Sequence, residues 1–269
     1  MRRVRYEEVT LRLFRRYGIH RALGAAQGFR GFAVIDLETT GFSWVDGDRV
    51  IEVGVILLDP LGAPTGGWTT LVDPCRSIAG TQIHRISDRD VAHAPRFAEI
   101  AGLLAASCAD CVLVAHNLAF DSYFLHRELR TAGFDVGLGP RAGVCTMELA
   151  GHYMPAVSRA LDPLCKAAGI DIRHRHWALW DAEATARLLQ RFIGVDPAFH
   201  RHWREGIDRS LAVQWPAHVM DDARLLPRCP PTNGHPDDDW CATCVQSQQR
   251  RPKWLGGWPR VLAARLRRA

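Results

Sequence analysis

The sequence predicts an α/β protein built on a mixed central sheet, and three observations carry that reading. Apolar runs of strand length at 31–38, 49–58 and 67–73 are joined by short turns, the pattern of an antiparallel meander. A further apolar run at 111–116 alternates with helical periodicity at 95–107 and 120–132, which adds parallel strands with helices on the sheet faces. Helices at 158–168 and 181–193, with a short strand near 143–146, complete the core.

The elements follow in chain order. Residues 6–17 read as a helix, with Val9, Leu11, Leu13 and Phe14 apolar and Gly18 as its stop. In the first strand Phe32 to Ile35 are apolar, and Asp36 and Glu38 lie two apart, so strand alternation points both carboxylates to one face. Two like charges at the edge of an apolar run cost roughly several kcal/mol unless cations neutralise them, and hard divalent metals take oxygen ligands. The alternative is a strand end whose acids face water or cap the turn at Thr39, Thr40 and Gly41. The second carboxylate-bearing block runs from Val112–Ala115 through His116 and Asn117 into a helix that opens with Phe120 and Asp121. Asp121 near that helix start could equally be a cap, and His116 reads as a hydrogen-bonded structural residue. In the third block Asp181 heads an amphipathic helix with Ala182, Thr185, Leu188, Leu189 and Phe192 on its apolar side. His176, one loop earlier, is free to lean over the acids, and an imidazole titrating near neutrality suits a general base. Here too a bland alternative stands: an N-cap aspartate and a loop histidine two residues after His174.

Taken in this order, the blocks resemble the DEDD exonuclease superfamily in its histidine-bearing (DEDDh, DnaQ-like) subgroup, which includes the epsilon subunits of replicative polymerases, RNase T and oligoribonuclease. The matching pieces are D-L-E-T-T-G at 36–41, R-V-I-E-V-G at 49–54, H-N-L-A-F-D at 116–121 and H-x4-D at 176–181. V-D-P at 72–74, I-H-R-I-S at 83–87, A-P at 94–95 and C-T-M-E-L-A at 145–150 also follow the family's spacing, so the resemblance spans roughly residues 30–195. One departure is Arg85, where the family often has glycine; glycine permits an unusual backbone angle or close approach, and arginine there could add a phosphate contact.

The resemblance implies a ribonuclease-H-like exonuclease architecture with its acids at one end of the central strands. It implies that Asp36, Glu38, Asp121 and Asp181 hold two Mg2+ or Mn2+ ions and that His176 is the base. Two metals about 3.5–4 Å apart can activate water for in-line attack on a phosphodiester and stabilise the leaving 3' oxygen. Thr39, Thr40, His84, Asn117 and Phe120 are candidates for cradling the terminal nucleotide, with core packing as the competing role for Phe120. The implied activity is 3'-5' exonucleolytic release of nucleoside 5'-monophosphates from single-stranded or frayed DNA, in proofreading or repair, with a DNA polymerase or replication protein as partner. An exoribonuclease has the same motifs. A catalytically idle adaptor that recruits a polymerase is disfavoured, since all five catalytic positions are filled.

Three segments are expected: a basic helical segment at 1–29, the exonuclease domain at 30–195, and a helical, basic extension with cysteines and tryptophans at 196–269. Charge is uneven: residues 1–30 carry +6 and residues 250–269 carry +7 against a total of +5, which leaves the middle at −8. Arginine-rich ends suit a phosphate backbone, and Trp254 and Trp258 among those basic residues could stack on unpaired bases or belong to an amphipathic helix. No stretch approaches the roughly 18–20 apolar residues of a membrane span, and the arginine-bearing start lacks a signal-peptide segment, so a cytoplasmic protein with reduced thiols is expected. Cys229, His235, Cys241 and Cys244 could form a structural Zn2+ site, although the interval between Cys229 and Cys241 fits no standard finger.

Overall fold

The computed structural model describes residues 29–197, 199, 201–216 and 223–228. The helix expected at 6–17, the zinc set Cys229, His235, Cys241 and Cys244, and the basic tail with Trp254 and Trp258 lie outside the described residues.

Strands β1 (Gly31–Thr39), β2 (Val50–Leu58), β3 (Pro64–Leu71), β4 (Cys111–Ala115) and β5 (Val144–Cys145) form one sheet in the order β3-β2-β1-β4-β5. β1–β2 and β2–β3 are antiparallel, whereas β1–β4 and β4–β5 are parallel. This is the mixed sheet that the apolar runs predict. Around it stand α1 (Thr81–His84), α2 (Asp88–Val91), α3 (Phe97–Cys108), α4 (Leu118–Thr131), α5 (Thr146–Tyr153), α6 (Leu161–Ala168), α7 (Ala178–Val195) and α8 (Arg201–Leu211).

Strand alternation sorts β1 between two cores. Ala33, Ile35 and Leu37 pack with Ile100 and Leu104 of α3 and with Phe124 and Leu125 of α4. Phe32 and Val34 pack on the opposite face with Leu188, Leu189 and Phe192 of α7, Leu164 of α6 and Trp203 of α8. Each fully buried Val, Leu, Ile or Phe among these contributes on the order of 1.5–3 kcal/mol, so both helical layers are held firmly to the sheet. Continuing the period of two beyond Phe32 and Val34 places Asp36 and Glu38 on the α7 side.

Several boundaries differ from those read in the sequence. α7 begins at Ala178, not 181, and α4 at Leu118, not 120; their N-caps are Trp177 and Asn117, neither of which makes a side-chain cap hydrogen bond. Asp181 and Asp121 therefore sit at the end of the first helical turn, and the capping role open to both in sequence is excluded. α6 starts at Leu161 where a start at 158 was expected, and β3 spans Pro64–Leu71 where 67–73 was expected. α5, absent from the expected elements, follows β5 with no loop between them, so no turn residue announces it.

Candidate active site

Two strands and two helix starts bring the acids together. On β1, Asp36 stands opposite Gly54 of β2 and Glu38 opposite Glu52. Gly54 is the opening that admits α7: a Cβ there would lie 2.3 Å from the backbone carbon and oxygen of Ala178. The Ala178 N–H donates to Glu52 Oε2 at 3.2 Å, pinning the first turn of α7 to β2. Asp181, one turn along, then faces β1. Asp121 enters from α4, 5% exposed.

The electrostatics record this convergence. Burial pushes the Asp36 carboxyl well above the ordinary carboxylate range, and the charges of Asp181, Asp121, Glu38 and Glu52 push it further. Burial, then Glu52 and Asp181, raise Glu38 to about 8. Asp121 is raised to about 8 by burial, against backbone N–H groups of its own residue and Leu37. Asp181 rises to about 6, again through burial first, with the His176 N–H pulling the other way. All four expected acids are thus raised by burial, and the charges of the other three add to the rise at Asp36, so together they favour a cation or protons.

His176 is brought to the same place. Single ligand atoms of Glu38, His176 and Asp181 lie within 4.8 Å of one another. Its backbone is left-handed at φ 57°, and its N–H donates to Asp181 Oδ2 at 3.0 Å. Partial burial, followed by the Arg175 charge, lowers the imidazole from its usual value, Asp162 opposing and Arg85 adding to the effect. A ring held neutral near pH 7 can accept a proton.

The remaining candidates divide. Thr39 donates to the Gly41 carbonyl at 2.6 Å, and Thr40 donates to Asp48 Oδ1 at 2.8 Å, so both hydroxyls brace the turn after β1. Asn117 is exposed beside Asp121. Phe120 is partly buried and does pack, 4.9 Å from the Phe124 ring, while its other neighbour, Phe42 at 6.3 Å, is 80% exposed. His84 is buried: Nδ1 accepts from the Ile86 N–H at 3.1 Å and Nε2 meets the Ala79 carbonyl at 3.1 Å. Both ring nitrogens are engaged by backbone, so His84 shapes its loop. Arg85 keeps the left-handed angle, φ 57°, that glycine would supply, with its side chain exposed. It lines a cleft of about 500 Å³ with Arg173, Arg175, His176 and Trp177. His116 is the structural residue expected, bonded to Thr146 Oγ1 and to the Arg159 carbonyl, each at 2.9 Å.

Three groups escape sequence reasoning. Glu52, 1% exposed and raised to about 7 by burial, is a fifth carboxylate; its signal was an acid inside the apolar run V-I-E-V-G. Glu128 is equally buried and takes a two-point contact from Arg49 at 2.8 and 2.7 Å. Arg228 reaches Glu52 Oε2 at 3.4 Å from a proline-rich stretch that gave no signal.

A profile of the exonuclease family, RNase T type, matches residues 33–189, more than half of the chain. The chain belongs to that exonuclease family, within the DEDD exonuclease superfamily. The DNA polymerase III PolC-type protein of Streptococcus suis (strain 98HAH33) is 31% identical over 174 residues, 64% of this chain and 12% of the relative. The PolC-type protein of Clostridium perfringens (strain 13 / Type A) is 33% identical over 163 residues, 59% of this chain and 11% of the relative. The chain thus spans only a small part of these relatives' length. Among solved structures, Exonuclease X in complex with 5' overhanging duplex DNA superposes with TM-score 0.52 at 25% identity, covering 65% of this chain and 99% of that one. The nuclease domain of 3'hExo, a DEDDh family member bound to rAMP, gives TM-score 0.53 at 17% identity over 61% of this chain and 92% of that one, a likeness of fold. The architecture is the ribonuclease-H-like exonuclease fold.

Proposed function

We propose that this protein is a metal-dependent 3'-5' exonuclease of the DEDDh subgroup that hydrolyses phosphodiester bonds at the 3' end of single-stranded or frayed DNA, releasing nucleoside 5'-monophosphates. The observation that carries this reading is that ligand atoms of Glu38, His176 and Asp181 lie within 4.8 Å of one another, with the charges of Asp121, Asp181 and Glu38 bearing on the buried Asp36 of the same strand end. The donor set fits Mg2+ or Mn2+: it is oxygen-rich, hard and mutually repulsive until a cation neutralises it. Two such ions held by these acids would supply an activated water and charge stabilisation at the leaving oxygen.

The chain's own residues do the rest. His176, kept neutral, takes the proton of the attacking water on a ring nitrogen. Its backbone bond to Asp181 holds base and acid in one geometry. Arg85, Arg173 and Arg175 in the adjoining cleft meet the phosphates of the approaching strand. Phe42, exposed beside Phe120, offers a ring face on which an unpaired base can stack. Thr39, Thr40 and Asn117 border the terminal nucleotide, chiefly through the turn and the helix start that they shape.

DNA is supported by the PolC-type relatives and by the DNA complex of Exonuclease X, and the polymerase relatives support a replication or proofreading setting. Incubation of the purified protein with 3'-labelled and 5'-labelled DNA and RNA oligonucleotides, with Mg2+, Mn2+ or chelator, tests this. Mononucleotide release from the 3' end of single-stranded DNA, abolished by chelator, is the expected result. Release from RNA alone would replace the substrate, and inertness with every metal would remove the enzyme reading.

A further inference from the structure

Arg228 lies 39 residues beyond the last residue of the matched exonuclease region, yet its side chain ends beneath the candidate site and is only 10% exposed. One guanidinium engages four partners on three different segments. Nη1 donates to the His176 carbonyl at 3.0 Å and reaches Glu52 Oε2 of β2 at 3.4 Å. Nη2 donates to the His84 carbonyl at the end of α1, and the guanidinium carbon stacks 4.2 Å from the centre of the Trp177 ring.

The arm that delivers it is anchored independently. The Leu226 N–H donates to Thr70 Oγ1 at 2.8 Å, the Leu71 N–H donates to the Leu226 carbonyl at 2.7 Å, and the Leu226 side chain is buried with Ile51, Leu71, Ile86 and Val91. Residue 176 is consequently tied through both of its backbone polar groups, its N–H to Asp181 and its carbonyl to Arg228, in a left-handed conformation that a non-glycine residue does not adopt freely. A fixed, planar fork of donors can serve two carbonyls and a carboxylate while lying flat on an aromatic ring; a lysine ammonium cannot.

We propose that Arg228 is a positioning residue for the nuclease reaction: the chain beyond the exonuclease domain returns to the site and locks the His176–Trp177 backbone, so turnover depends on that segment. This rests on the exonuclease reading given above.

The test uses R228K and R228M in the full chain, with two readouts. In steady-state degradation of a 3'-labelled single strand with Mg2+, both variants should lose at least about tenfold in kcat with KM within about threefold, the split expected when base geometry is lost and strand binding is kept. In hydrogen exchange read by mass spectrometry, the peptide covering 172–181 should exchange at least about tenfold faster while the β1 peptide is unchanged. Should R228M fail to fold because Glu52 is left as an unpaired buried charge, R228K retains a cation beside Glu52 and carries both readouts. A kcat within twofold of wild type in R228K, unaltered exchange at 172–181, or equal acceleration in β1 would overturn the proposal. If the wild-type protein proves inert on every nucleic acid, the exonuclease reading falls by itself, and the exchange arm still decides whether Arg228 locks the loop.

Discussion

At the scale of single residues, the site depends on what is missing as much as on what is present. Gly54 carries no side chain because the backbone of Ala178 occupies the space, and a methyl 2.3 Å from that backbone must push α7 away or distort β2. Gly54→Ala should lower stability by about 1–3 kcal/mol and reduce kcat at least tenfold by moving Asp181, measured by urea denaturation and by oligonucleotide degradation. Wild-type turnover in that variant would show that the close approach does not position the acid. Asp36 presents the opposite situation, a charge in a place that disfavours charge. Asp36→Asn should abolish degradation while leaving the fold intact, and in chelator at pH 8 it should melt higher than wild type, because a repelling carboxylate has been removed. A variant that is less stable under those conditions would indicate that Asp36 is well compensated without metal.

At the scale of elements, α4 and β2 are joined by a bond that hydrophobic patterning does not reveal. Glu128, 1% exposed on α4, receives the Arg49 fork and also accepts from the Val50 N–H at 3.2 Å, so it satisfies both side chain and backbone at the start of β2. Removing it leaves the Arg49 guanidinium with only the Trp44 ring face and partial solvent, and orphans the Val50 N–H. Glu128→Ala should therefore cost about 3 kcal/mol in chemical denaturation, with loss of activity following loss of fold; a change below about 1 kcal/mol would mean that the pair is solvated like a surface bridge. α8 makes the complementary point. Trp203 is fully buried in the α7-side core, its Nε1–H donates to the Tyr153 hydroxyl at 2.8 Å, and the Leu113 N–H donates to Ser210 Oγ at 2.8 Å. Chain beyond the matched region is thus part of the same packed body as the sheet.

At the scale of the whole molecule, the carboxylate cluster couples stability to pH and to cations. The folded-state values, about 8 for Glu38 and Asp121, about 7 for Glu52 and about 6 for Asp181, exceed the roughly 4 of an unfolded carboxylate. The folded protein then binds more protons than the unfolded chain across that interval, so the metal-free protein loses stability through these groups as pH rises from about 4 to about 8, and Asp36, raised in the same direction, adds to the loss. A cation bound to the folded state reverses the penalty by mass action. Thermal melting with Mn2+ against chelator should show a larger gain in Tm at pH 8 than at pH 5; equal gains, or none, would count against the cluster as the ion site.

The mixed sheet was legible from the amino-acid order, because strand and helix periods are local, and so were the acids and the histidine as candidates, because each lies near the edge of an apolar run. Whether Asp121 and Asp181 were caps stayed open in the sequence; the packing resolved it by starting the helices three residues before each aspartate, behind an Asn117 whose side chain makes no cap hydrogen bond and a Trp177, which cannot accept one. The roles of Glu52 and Arg228 come from the tertiary structure, although an acid inside the apolar run V-I-E-V-G was visible in the sequence. Their meaning comes from cross-strand register and from a chain return over more than a hundred residues, and such proximities are set by packing free energy summed over the fold, not by the order of neighbours along the chain.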